Sequence, residues 1–197
     1  RFWGVFTGPE DRELVVPGFW DGGTTWRIRF TPTTPGRWVY ATHLTEETDS
    51  GLHGQVGALD VDEPTSETAL RRHGGFLAVS DNRRYLTYTD GTPFFWLGDT
   101  WWRVPSSFVP FEHFKTMVDT RVAQGFTVFQ AHGHTAFDDN GAPDAFESVL
   151  RSDPESIVYW RKRDRYVSYA DQRGLIGVVG FAAHAILDRY DIHHLKR

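Results

Sequence analysis

An apolar run ends in polar and indole-bearing residues in the stretch Thr92-Pro93-Phe94-Phe95-Trp96-Leu97-Gly98-Asp99-Thr100-Trp101-Trp102. A carboxylate accepts hydrogen bonds from sugar hydroxyls, and an indole offers a flat apolar face with one polar edge. Asp99, Trp101 and Trp102 are therefore candidate substrate contacts in a sugar-sized cleft. Set against that, Asp99 could instead cap a turn or pair with a buried arginine, and one of the tryptophans could belong to the core. About one helix downstream, Phe126-Thr127-Val128-Phe129-Gln130-Ala131-His132 closes with Gln130 and His132. Alternation along a strand puts those two on one face, where they line a cleft or brace loops as a buried pair. His184 follows a third apolar run in a similar position.

A rival chemistry lies in the same residues. His132-Gly133-His134 has the spacing by which metal-dependent amidohydrolases hold a divalent ion, with His184 as a third ligand. Such enzymes carry the word on their first barrel strand, whereas here a strand of different character precedes it. Residues 135–152 form a long connection holding Asp138, Asp139, Asn140, Asp144 and Glu147. Long loops of this kind often carry function, although solvated acids are the simpler reading. His193-His194 lacks regular context and reads as surface.

Two regions with different patterns position these groups. Residues 1–62 read as all-β, with short aromatic and β-branched runs broken by turn residues. Strands are expected over Phe2 to Thr7, Glu13 to Val16, Trp26 to Phe30, Arg37 to His43 and Gln55 to Val61, with a hairpin turn at Asp21-Gly22-Gly23. Five strands fall short of the roughly seven of an immunoglobulin-like sandwich, so a sandwich clipped at its N-terminus is expected. Residues 63–75 read as a linker. Residues 76–197 open with a hairpin, Phe76 to Val79 and Arg84 to Thr89, followed by a strand from Phe94. Phe111, Phe114, Val118 and Val122 then recur at helical spacing, with Pro110 at the first helical position and Gly125 just past the end. A second helix starts at Asp153-Pro154-Glu155, its apolar stripe formed by Ile157, Trp160, Val167 and Ala170, with Gly174 closing it. Leu175 to Phe181 is apolar on both faces, as a covered parallel strand is. Strand and helix in alternation imply right-handed crossovers in a parallel sheet. A (β/α)8 barrel takes about 250 residues, so this region is expected to be an incomplete, N-terminal part of one. A small complete open α/β sheet is the alternative.

Composition narrows the function classes. The 197 residues are 40% hydrophobic and 24% charged, ordinary globular values. A net charge of −5 with no Lys/Arg-rich block argues against a nucleic-acid surface. No apolar run reaches the roughly 18 residues of a membrane span. Eight Trp and fifteen Phe suit either sugar-facing surfaces or an aromatic core. The chain has no cysteine, hence no disulfide framework and no zinc–thiolate site. It opens at Arg1 in what already reads as strand, so the natural N-terminus is expected upstream.

Both regions resemble one known arrangement. Phe6-Thr7-Gly8-Pro9, Val16-Pro17-Gly18-Phe19-Trp20-Asp21-Gly22 and Phe30-Thr31-Pro32…Pro35-Gly36-Arg37-Trp38 resemble a β-sandwich domain of unknown function that precedes certain glycosidase barrels. Arg84-Tyr85-Leu86, Asp90-Gly91-Thr92 through Asp99-Thr100, and Tyr159-Trp160…Asp164-Arg165…Tyr169-Ala170…Arg173-Gly174-Leu175 resemble the apiosidase-like (β/α)8 glycoside hydrolases. The resemblance implies a retaining hydrolase of plant or microbial polysaccharide, secreted or periplasmic, without a cofactor. It also implies an acid/base carboxylate after the fourth barrel strand and a nucleophile after the seventh. Only three barrel strands are legible here, so the catalytic carboxylates are expected beyond this chain, which alone would be inactive and would supply a wall of the cleft for an oligo- or polysaccharide. The non-enzymatic alternative is a carbohydrate-binding or adhesive sandwich on an inactive barrel, using Trp20, Trp26 or Trp38.

Overall fold

The structure, a computed structural model, describes residues 1–49, 51–63, 68–102, 104, 109–132 and 154–180. It divides into two units, Arg1–Ser66 and Glu67–Arg197.

In the first unit, β1 (Phe2–Thr7), β2 (Glu13–Trp20), β3 (Trp26–Ile28), β4 (Gly36–Leu44) and β5 (Val56–Val61) form one antiparallel sheet in the order β3-β2-β1-β4-β5. Alternation in β1 buries Phe2, Gly4 and Phe6 on one face. Phe6 stacks on Phe30 at 3.9 Å between ring centroids, and Phe30 meets Trp38 edge-on at 5.0 Å. Trp38 is wholly buried and donates its indole N–H to the Thr34 carbonyl at 3.0 Å.

Three local expectations change here. β2 runs through Pro17-Gly18 instead of stopping before them. Proline removes a ladder donor, but β3 pairs with β2 only over Gly18–Trp20, so Pro17 has no strand on that flank. β3 ends at Ile28, which frees Phe30 to fold onto Phe6 and Trp38. Of the three tryptophans weighed for a binding surface, only Trp38 is withdrawn into the core, and Trp26 remains 42% exposed. Trp26 packs edge-on against Phe2 at 5.9 Å, and Trp20 donates to the Gly23 carbonyl at 2.9 Å.

The second unit opens with a short helix α1 (Ala69–Arg72) inside the segment expected to be linker. Its residues are docked. Ala69 and Leu70 pack against a cluster of Tyr88, Phe94 and Val128, and Arg71 forms an ion pair with Asp171. The expected hairpin forms as β6 (Leu77–Val79) and β7 (Leu86–Tyr88), joined by β8 (Pro93–Phe94) in a three-stranded antiparallel sheet.

The apolar run from Phe94 is therefore not one strand. Its first residues complete that antiparallel sheet, and only β9 (Gly98–Thr100) enters the parallel sheet with β10 (Val128–His132) and β11 (Ile176–Gly180). The order is β11-β10-β9.

Helices α2 (Phe111–Ala123) and α3 (Pro154–Gln172) fill the two crossovers. Pro110 caps α2 from outside rather than occupying its first turn, with φ −53° and ψ 150°, and its carbonyl accepts the Phe114 N–H at 3.0 Å. Gly125 and Gly174 follow the two helices at φ 81° and 82°, the left-handed conformation glycine adopts without a Cβ clash. Phe114 and Val118 of α2 meet Tyr166 and Ala170 of α3 and Trp101, Phe129, Ala131 and Leu175 of the sheet in one core. Tyr166 supersedes Val167 in the buried stripe of α3, because its hydroxyl reaches the Val109 carbonyl at 2.8 Å. Burial raises the Tyr166 phenol's pKa, so it remains a neutral donor in that bond. No helix among the described residues is long and apolar enough to cross a membrane.

Candidate functional site

Register decides what each strand residue faces. Asp99 lies opposite Phe129, and Phe129 packs under α2, so Asp99 and Trp101 are in the helix-facing phase. Gly98 lies opposite Val128 and Thr100 opposite Gln130, while Ile176 and Val178 continue those two rows on β11. These residues share the other face of the sheet, turned away from α2 and α3.

That face changes character along its length. Its first row contains Val128, nearly inaccessible and packed with Tyr88 and Phe94, with Ile176 against them. The antiparallel sheet and α1 thus cover the N-terminal end of the parallel strands. One row further on, Thr100 and Gln130 are both exposed, with the Thr100 hydroxyl donating to Gln130 Oε1 at 3.4 Å. In the third row, His132 lies opposite Gly180. Apolar groups close the N-terminal end and polar groups open the C-terminal end, where parallel α/β sheets present their ligand sites.

Two of the six candidate contacts take other roles. Asp99 accepts from Arg121 Nε and receives Trp101 Nε1 at 3.4 Å. Arg121 also donates to Gln124 Oε1 at 2.7 Å and lies over the Phe126 ring at 4.8 Å. Asp99 is thus the partner of a half-buried arginine and ties β9 to the last turn of α2. Trp101 is 8% exposed, stacked on Phe129 at 4.8 Å and edge-on to Phe114 at 5.7 Å. It is core and offers no face to a ligand. Trp102, by contrast, is 60% exposed immediately beyond β9. Gln130 is exposed on the face opposite α2 and α3, and His132 holds a backbone position in phase with it. His134, His184, the acids of 135–152 and His193-His194 lie outside the described residues.

Thr100 is the exposed polar residue of this face that sequence reasoning passed over. Its signal was available in its two-residue spacing from Trp102, but it depended on knowing that β9 pairs Thr100 with Gln130. Among the described residues, no group of three or more His, Cys, Asp or Glu side chains is placed to hold a metal ion. Thr100 and Gln130, the exposed polar pair of this face, carry no charge. They can exchange hydrogen bonds with a hydroxylated ligand.

Comparison with known proteins agrees with both halves. Residues 80–186 match the family described as "Apiosidase-like, catalytic domain", and residues 1–45 match "Domain of unknown function (DUF5060)". No curated protein matches the chain. A crystal structure from Bacteroides vulgatus ATCC 8482, provisionally described as a glycoside hydrolase, superposes with a TM-score of 0.67 at 17% identity. That match covers 92% of this chain and 36% of the other, a likeness of fold. A glycoside hydrolase family 5 structure from the same organism matches at 26% identity with a TM-score of 0.42, covering 53% of this chain and 24% of its own. The chain thus spans little more than a third of the first of these structures.

Proposed function

We propose, from the premise that this chain belongs to the apiosidase-like family, that it forms part of a secreted or periplasmic glycoside hydrolase acting on an oligo- or polysaccharide. In this reading β9, β10 and β11 are the first three strands of a (β/α)8 barrel. Strands adjacent in chain order, each joined to the next through a helix, are what such a barrel requires. The observation that carries the reading is the sheet face opposite α2 and α3, apolar and covered at Val128 and open and polar at Thr100 and Gln130. Thr100 and Gln130 bind hydroxyls, His132 stands one row above them, and Trp102 flanks them with an apolar ring face.

The chemistry is retaining hydrolysis. One carboxyl group protonates the leaving oxygen while a carboxylate about 5–5.5 Å away attacks the anomeric carbon, and water then releases the glycosyl ester. In this reading both groups are contributed by other βα units of the barrel. This segment supplies the wall against which the sugar is oriented, and orientation lowers the barrier entropically.

The test uses the full-length protein with plant and microbial polysaccharides, following reducing-end release and the anomeric configuration of the first product by NMR. Hydrolysis with retained configuration supports the reading. Binding of polysaccharide without any hydrolysis would sink it in favour of a carbohydrate-binding protein.

A further inference from the structure

We propose that Thr100 and Gln130 act as one hydroxyl-reading pair that selects a neutral sugar bearing two adjacent hydroxyl groups. The inference rests on the sugar-cleft reading above and deepens it. The two residues lie directly opposite each other on neighbouring parallel strands, and both are exposed. Strand spacing holds their backbones about 4.8 Å apart, and the Thr100 hydroxyl donates to Gln130 Oε1 at 3.4 Å.

In that pairing the remaining atoms divide between donor and acceptor. With Oε1 accepting from Thr100, the Gln130 amide keeps its N–H donors for a ligand. With its proton committed to Gln130, the Thr100 oxygen is left as an acceptor. The pair therefore donates at one point and accepts at a neighbouring one. A vicinal diol is complementary, since one hydroxyl oxygen accepts from the amide while the adjacent O–H donates to threonine. A lone hydroxyl satisfies only half of the pair. Covering the other half without a partner costs binding energy, which makes the arrangement selective as well as attractive.

Charge points the same way. The one carboxylate of β9, Asp99, faces α2 and is neutralised by Arg121. The exposed pair itself, Thr100 and Gln130, is uncharged and offers no cation to a uronate or a sugar phosphate. Carboxylate and phosphate recognition ordinarily draws on arginine or lysine.

The experiment is an NMR titration of the full-length protein, 15N-labelled at glutamine, with methyl β-xylopyranoside, its 3-deoxy analogue and glucuronate, read at the Gln130 side-chain amide. The xyloside is expected to shift that resonance saturably. Removing its 3-hydroxyl, which leaves no two hydroxyls adjacent, or introducing Thr100→Val should weaken binding about fivefold to tenfold, and Thr100→Ser should restore it. Valine suits an exposed strand position, and unchanged backbone amide dispersion identifies a folded variant. Equal affinity of wild type and T100V, equal affinity for the deoxy analogue, tighter binding of glucuronate, or no saturable shift up to on the order of 100 mM xyloside would each overturn the pair. Hydrolysis by the full-length protein is read separately. An intact enzyme without the Gln130 response defeats only this inference, and the response without hydrolysis defeats only the enzymatic reading.

Discussion

His73 Nδ1 lies 2.6 Å from Asp90 Oδ2, closing the end of α1 onto the turn between β7 and β8. The same turn holds that end twice more. The His73 ring stacks on Tyr88 at 4.7 Å, and the Thr89 hydroxyl donates to the His73 carbonyl at 3.1 Å. The His73 bond is the leading cause that holds the Asp90 carboxyl below its ordinary value of 3.8, with the Thr92 backbone N–H next. A carboxyl lowered in the folded state contributes stability in full above its unfolded value. That contribution is lost as pH falls through the lower, folded value.

The expected outcome of Asp90→Asn is a reduced melting temperature at about pH 6, with the difference from wild type shrinking as pH falls below the ordinary carboxylate range. Thermal melts of both proteins across that range check it. A pH-independent difference would show that the carboxylate's charge is irrelevant to the latch.

Asp99 and Arg121 make the corresponding tie on the helix side of the sheet. Their side chains are 29% and 35% exposed, so solvent screens the pair and its loss is modest. Asp99→Ala should cost about 1–2 kcal/mol, because it also removes the acceptor of Trp101 Nε1. Asp99→Asn keeps an acceptor oxygen and should recover part of that loss. Urea denaturation with a double-mutant cycle against Arg121→Gln reads the coupling, and an additive cycle would rule out the tie.

The same strand shows what a sequence can and cannot reveal about this site. Both helices, the hairpin, and the phase shared by Gln130 and His132 follow from periodicity, since burial imposes 3.6 or 2 on the apolar residues. Which phase of β9 meets the Gln130 row is a matter of register, and a slip of one residue exchanges the two faces. Asp99 and Trp101 therefore read as plausibly in sequence as Thr100 and Trp102. Only the pairing of Asp99 with Phe129 separates them. The residues around Phe94 misled for a related reason. One apolar run serves two sheets, because β8 pairs backwards with β7 before the chain enters β9. In α1, four residues docked through Leu70, Arg71 and His73 are too short a helix for periodicity to mark.

The two adjacent tryptophans give a direct test of that register. Trp101→Ala opens a cavity between Phe129 and Phe114 and should destabilise by about 3 kcal/mol. Trp102→Ala, at an exposed position, should stay within about 0.5 kcal/mol of wild type in stability. In the full-length enzyme it should raise KM by several-fold, through loss of a ring-stacking face. Paired denaturation and kinetic measurements check this, and a destabilised Trp102 variant with unaltered KM would assign Trp102 to the core.

Metal dependence separates the two chemistries that His132 can serve. In a two-carboxylate glycosidase, charge at the anomeric centre is handled by carboxyl groups, and no Lewis acid is needed to generate the nucleophile. A metal-dependent amidohydrolase instead requires a bound ion to lower the pKa of its attacking water, with ligands drawn here from His132, His134 and His184. Full-length protein treated with EDTA and desalted is expected to hydrolyse its polysaccharide at an unchanged rate. Metal analysis should find less than about one zinc per ten chains, since a built site of three histidines would retain its ion through purification. His132→Ala would still lower kcat/KM, because position 132 stands one row above Thr100 and Gln130. Loss of activity on chelation, restored by zinc and abolished by His134→Ala, would move His132 from the sugar cleft to a metal centre.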